Sequence, residues 1–108
     1  CDIHSSGGYV YYPWAHEDKR SPDDDALQAL GRKLSYFNNY KFWAPGFSDF
    51  VYPASGESSD YMYGALSVAS FGLELGEDFY EDCDLFEREV VPINLPALLY
   101  AAKIATRP

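Results

Sequence analysis

Three polar residues stand where the chain otherwise reads as buried, extended backbone. His4 closes the run "DIH", Tyr52 closes "FVY" just before a proline, and Glu74 sits inside "SFGLELG". An imidazole can ligate a metal or move a proton near neutral pH. A carboxylate in so apolar a run costs several kcal/mol unless it is paired or metal-associated. A tyrosine can pack its ring and offer its hydroxyl. In α/β sheets, ligands collect outside the carboxyl ends of strands, so His4 and Glu74 on two such ends would face one cleft. Each residue also has a plainer explanation: a hydrogen-bonded structural histidine, or a packed tyrosine before proline. Taken alone, they describe a cleft holding a histidine and a glutamate, and they name no reaction.

The elements that would carry these residues can be read along the chain. Cys1 to Trp14 reads as strand, bend, strand: Ile3 lies in the first strand, Ser5-Ser6-Gly7-Gly8 forms the bend, and Tyr9 to Tyr12 forms the second. Pro13 cannot donate to a ladder and ends it. His16 to Arg20 is a charged loop. Ser21 reads as a helix N-cap with Pro22 at the first helical position, and Asp23, Asp24 and Asp25 complement the helix dipole rather than form a metal site. Leu27, Leu30, Leu34 and Phe37 recur at helical spacing, and Asn38-Asn39 suits the end.

Beyond that helix, Tyr40 to Gly46 reads as an aromatic loop, Phe50-Val51-Tyr52 as a short extended piece, and Pro53 to Gly56 as a turn. Ser58 or Ser59 caps a short helix through Tyr63. The alternating "VASFGLEL" of Val68 to Leu75 reads as a buried strand, and Gly76 to Arg88 as an acidic loop with some helix. The last helix starts at Asn94-Leu95-Pro96, with Leu95, Leu98, Leu99, Ala102 and Ala105 on its apolar side. Strands alternate with helices, which favours an α/β layer structure.

Composition narrows the function classes. The 108 residues fit one domain or one piece of a larger one. An apolar fraction of 47% supports a packed core, and the 10 tyrosines suit half-buried surfaces. Only 8 Lys and Arg oppose 17 Asp and Glu, giving a net charge of -9 with no basic stripe. That balance argues against nucleic acid and against an anionic membrane as partners. No apolar run approaches a membrane span, and no signal peptide is visible. Cys1 and Cys83 make neither a disulfide framework nor a CxxC metal site.

The stretches "DIHSSGGYVYYPW", "VYPASGESSDYMY" and "SFGLELG", in this order, resemble the closing part of the zinc metallocarboxypeptidases of the carboxypeptidase A/B family. "FYEDCDLFE" and "NLPALLYAAKIA" resemble secreted bacterial members in particular. The resemblance implies a three-layer α/β fold, a mixed and mostly parallel sheet between helices. It also implies one catalytic zinc ion, and peptide or protein C-termini as substrates. His4 matches the second zinc histidine, Ser5 the residue after it that lines the substrate groove, Tyr52 the tyrosine that closes over the substrate carboxylate, and Glu74 the general base. Ser59 falls at the position that separates apolar-preferring from basic-preferring relatives. Glu57 would put a carboxylate at the rim of that pocket, and Asp60 another beyond it, unless Glu57 is merely a solvated turn residue. A zinc histidine also needs an acceptor for its other ring nitrogen, and the sequence does not reveal one.

The departures are informative too. The family draws its other zinc ligands from an upstream His-x-x-Glu, and the chain contains no such motif. Residues 1–108 therefore read as the C-terminal portion of a catalytic domain, partnered by a missing N-terminal half and, by resemblance, secreted or periplasmic. The competing expectation is a non-catalytic α/β module. Cutting such a sheet leaves an edge that was once interior, which favours aggregation and low stability in isolation unless a partner or the missing half covers it. Cys1 and Cys83 should lie toward opposite ends of neighbouring parallel strands, which argues against a bridge.

Overall fold

The computed structural model describes residues 1–43 and 52–105. Four short strands form one mixed sheet: β1 (Asp2–His4), β2 (Tyr9–Tyr11), β3 (Lys41–Phe42) and β4 (Gly72–Glu74), in the spatial order β1-β4-β2-β3. β4 runs parallel to β1 and antiparallel to β2, and β2 runs parallel to β3. The two strands of Cys1 to Trp14 do not pair with each other directly. Instead β4 inserts between them, and the Ser-Gly bend carries the chain past it. The expected aromatic loop after Asn39 contributes β3, with Trp43 N donating to Val10 O at 2.8 Å. Phe50 and Val51 of the expected extended piece lie outside the described residues.

Register sorts the side chains by face. Ile3 pairs with Leu73, and Leu73 with Val10, so these three share a row. Leu73 and Val10 are fully buried beneath the helices, in a core with Tyr12, Leu27, Leu34, Phe71 and Ala97. Alternation then sends Asp2, His4, Gly72, Glu74, Tyr9 and Tyr11 to the opposite face.

Helix α1 (Asp24–Asn38) uses the expected stripe, with Leu27 and Leu34 buried and Leu30 and Phe37 packed against the core. It starts later than Ser21 and Pro22 suggest. Ser21 is buried with no partner for its hydroxyl, and Asp23 occupies the cap position without a side-chain capping bond, its carboxylate accepting instead from the Tyr63 hydroxyl at 2.8 Å. Asp24 has a role beyond the helix dipole: buried, it accepts from the Tyr12 hydroxyl at 2.6 Å and from Gln28 Nε2 at 2.9 Å. Burial, more than this bond, pushes the Tyr12 phenol pKa well above its ordinary value.

Helix α2 (Ser58–Leu66) outlasts the expected end at Tyr63 and has no side-chain cap. Its continuation explains why β4 is short. Val68 N donates to Met62 O at 3.0 Å, and Ser70 Oγ to Ser59 O at 2.5 Å, so these residues are tied to α2 and not to the sheet.

The C-terminal helix begins well before Asn94. Asp82 caps α3 (Cys83–Leu85) by accepting from the amides of Asp84 and Leu85. A π-helical stretch, Phe86–Val90, leads into α4 (Val91–Ala105), which contains Pro96. The expected apolar side is rotated: Asn94 and Ala97 are buried, whereas Leu95 and Leu99 are 51% and 62% exposed. A buried bond explains the rotation, since Asn38 Nδ2 donates to Asn94 Oδ1 at 3.0 Å and Asn94 Nδ2 reaches Tyr40 Oη at 2.8 Å. Cys1 and Cys83 are free and exposed.

Candidate functional site

The open face of the sheet collects the chemistry. His4 and Glu74 are register partners at the carboxyl ends of β1 and β4, and Leu75 N donates to His4 O at 2.8 Å. Tyr9 flanks Glu74 on the other side. Glu74 is half-buried, and desolvation raises its pKa above the ordinary carboxyl value, with His4 partly offsetting this.

One position earlier in the register, Asp2, Gly72 and Tyr11 lie side by side. A Cβ on Gly72 would collide with the Tyr11 ring, so glycine lets the phenol lie flat across β4. The Tyr11 hydroxyl donates to Glu57 Oε2 at 3.0 Å, and burial together with that bond drives the phenol pKa far up. Glu57 is thus half-buried and held, not a solvated turn residue.

His4 Nε2 lies 3.0 Å from Asp2 Oδ2. That hydrogen bond raises the imidazole pKa, against partial desolvation. Ser58 Oγ, at the start of α2, donates to the same Asp2 oxygen and is the main cause of the lowered Asp2 pKa, followed by His4.

Tyr52 is 81% exposed and lines a small cleft of about 100 Å³ with Tyr9, Tyr11, Trp43, Glu57 and Glu74. Contrary to expectation, His4 does not share that cleft with Glu74: with Ser5 it lines a second groove, beside Leu75, Asp78 and Phe79. Ser5 Oγ donates to Phe79 O at 3.3 Å. Ser59 is 1% exposed, its hydroxyl has no partner, and it does not line the cleft. Asp60 is occupied elsewhere: it accepts from the amides of Ala15 and His16 at 2.8 and 3.0 Å, and its Oδ2 lies 2.5 Å from His16 Nδ1. It therefore pins the charged loop, and His16 with it.

Among the described residues, Asp2, His4 and Glu57 offer ligand atoms that all lie within 4.8 Å of one another. A zinc ligand must be a neutral imidazole whose other nitrogen is held by an acceptor. His4 fits, because an Nε2–H given to Asp2 leaves the Nδ1 lone pair unused. The second imidazole of a two-histidine site is not supplied by His16, which Asp60 holds. Sequence reading missed Asp2, Tyr11 and Ser58. The two-residue spacing of Asp2 and His4 on one strand was the available signal for the first. Tyr11 and Ser58 become visible only through tertiary register.

The sequence signature described as zinc carboxypeptidase matches residues 1–91. The chain belongs to the zinc carboxypeptidase family. Carboxypeptidase A4 of Mus musculus is 28% identical over 95 residues, which cover 84% of this chain and 23% of that protein. The chain thus spans about a quarter of the length of this curated relative. The crystal structure of thrombin activatable fibrinolysis inhibitor superimposes with a TM-score of 0.77 at 22% identity, covering 94% of this chain and 28% of that one. The bovine form of that inhibitor, solved in complex with a tick carboxypeptidase inhibitor, gives 0.72 at 25% identity, with 96% and 37% coverage. These likenesses establish the α/β fold. Among the described residues, no helix is long and apolar enough to cross a membrane.

Proposed function

We propose that this chain forms part of a zinc-dependent exopeptidase that removes C-terminal amino acids from peptides. The pairing of His4 with Glu74 at the carboxyl ends of two parallel strands carries the reading. It sets a metal-capable imidazole next to a carboxylate whose pKa is raised by burial. A metallocarboxypeptidase needs that juxtaposition of ligand and base.

In this reading His4 holds zinc through its free ring nitrogen, and the remaining ligands come from residues beyond this chain. Bound zinc supplies Lewis-acid activation at the scissile carbonyl. Glu74 takes a proton from the attacking water and returns it to the departing amine. A carboxyl group with a raised pKa suits both steps, since it accepts and releases a proton nearer the working pH. Tyr52, exposed at the cleft mouth, closes over the substrate carboxylate. The backbone at Ser5 lines the groove beside His4. Glu57 places negative charge along the cleft, whereas Ser59, buried away from it, takes no part in the specificity pocket of this reading.

The same reading makes residues 1–108 the C-terminal portion of a catalytic domain. Ile3, 48% exposed on the edge strand β1, and an apolar groove lined by Leu30, Leu34, Val68, Phe71 and Leu98 support a covering N-terminal half. A secreted or periplasmic location accords with a peptidase of this kind. Metal analysis after dialysis tests the ligand assignment in the longer enzyme. His4→Ala should empty the site, and His16→Ala should leave zinc stoichiometric. Equal zinc in both variants and the parent would refute it.

A further inference from the structure

We infer that Asp2 is a positioning residue for the metal site: it fixes the His4 imidazole with Nε2–H pointing at its carboxylate, and Ser58 anchors that carboxylate from α2. The inference rests on the proposed role of His4 and adds the device that aims it.

The geometry has three parts. Asp2 and His4 stand two residues apart on β1, so both side chains leave the same face of the strand. His4 Nε2 and Asp2 Oδ2 are 3.0 Å apart, within hydrogen-bond range. Ser58 Oγ donates to that same oxygen from the first residue of α2, so the carboxylate is held from a second element. The imidazole itself is exposed, and an unrestrained ring would present either nitrogen to a metal. The relay Ser58–Asp2–His4 removes that choice. It leaves Nδ1 as the donor nitrogen and makes the ring a stronger base toward a cation, as a carboxylate partner does for ligating histidines generally. It also ties the metal ligand to α2, the helix that directly follows Glu57 at the cleft.

The test uses the longer enzyme, ¹⁵N-labelled at histidine, stripped of metal and titrated with zinc chloride, with long-range proton–nitrogen spectra reporting which imidazole nitrogen takes the metal. In the unaltered enzyme zinc should shift Nδ1 of His4 while Nε2 keeps its proton. Asp2→Ala should divide the metal between both nitrogens and weaken binding at His4 by roughly 10-fold or more. Asp2→Asn, whose amide oxygen still accepts, should restore Nδ1 selectivity. Ser58→Ala, at an exposed helix position that leaves β1 untouched, should loosen the selectivity less than Asp2→Ala does. Unchanged nitrogen selectivity and affinity in both Asp2→Ala and Ser58→Ala would overturn the inference. Zinc that leaves every His4 signal unmoved in the unaltered longer enzyme would overturn it as well, and would mark the failure as one of His4 as a ligand.

Discussion

His4 and Glu74 stand opposite each other across parallel strands, locked by the 2.8 Å bond from Leu75 N to His4 O. The backbone sets this relationship, not the side chains. Substituting either residue should therefore alter the chemistry of the site and leave the sheet in place.

Glu74 should cost the fold stability at neutral pH. Burial raises its pKa above the ordinary value of 4.5 expected in the unfolded chain. An acid whose folded pKa is raised binds its proton more tightly when folded, so ionisation disfavours the native state. The penalty is absent below the unfolded pKa and grows as pH rises through the folded one. Glu74→Gln should accordingly raise the urea midpoint at about pH 7 and leave it unchanged near about pH 3.5. Stabilisation of equal size at both values would show that charge burial is not the cause.

The Asn38–Asn94 bond should be a principal tie between α1 and α4. Both residues are buried, and removing one leaves the other's polar group unpaired. Asn38→Ala should lower stability by about 1–3 kcal/mol in denaturant titration. A loss within the error of the measurement would mean that water replaces the bond.

Glu57 should favour basic C-terminal residues in the longer enzyme. Its carboxylate faces the cleft shared by Tyr52 and Glu74 and is steadied by Tyr11. A partly shielded ion pair there adds about 1–3 kcal/mol for Lys or Arg. Glu57→Gln should reduce kcat/KM for substrates ending in Arg and Lys roughly 10-fold while sparing Phe and Leu. Equal losses on all four substrates would remove Glu57 from the specificity pocket.

The strand ends that carry His4 and Glu74 were legible because strand alternation is a local rule. "DIH" and "GLE" announce two strand ends, while the parallel register that brings His4 beside Glu74 is set by pairing between distant segments. What resisted reading depends on contacts between distant residues. Val68 to Ser70 alternate like a strand, yet bonds to Met62 and Ser59 hold them at α2. Leu95 and Leu99 fit an apolar stripe, yet the buried bond of Asn94 to Asn38 turns them outward. Ser21 and Pro22 look like a helix start, yet the first helical residue is Asp24, which accepts from Tyr12. Asp2 shares a strand face with His4, but the anchoring hydroxyl of Ser58 arrives from a segment far along the chain.

The most direct test is turnover by Glu74→Gln in the longer, zinc-loaded enzyme, with metal content measured on the same sample. An amide keeps the size and polarity of the side chain but cannot take up a proton. The account predicts stoichiometric zinc with kcat reduced by roughly 10²–10⁴-fold, the usual contribution of a positioned acid–base group. Near-normal turnover with zinc in place would contradict it.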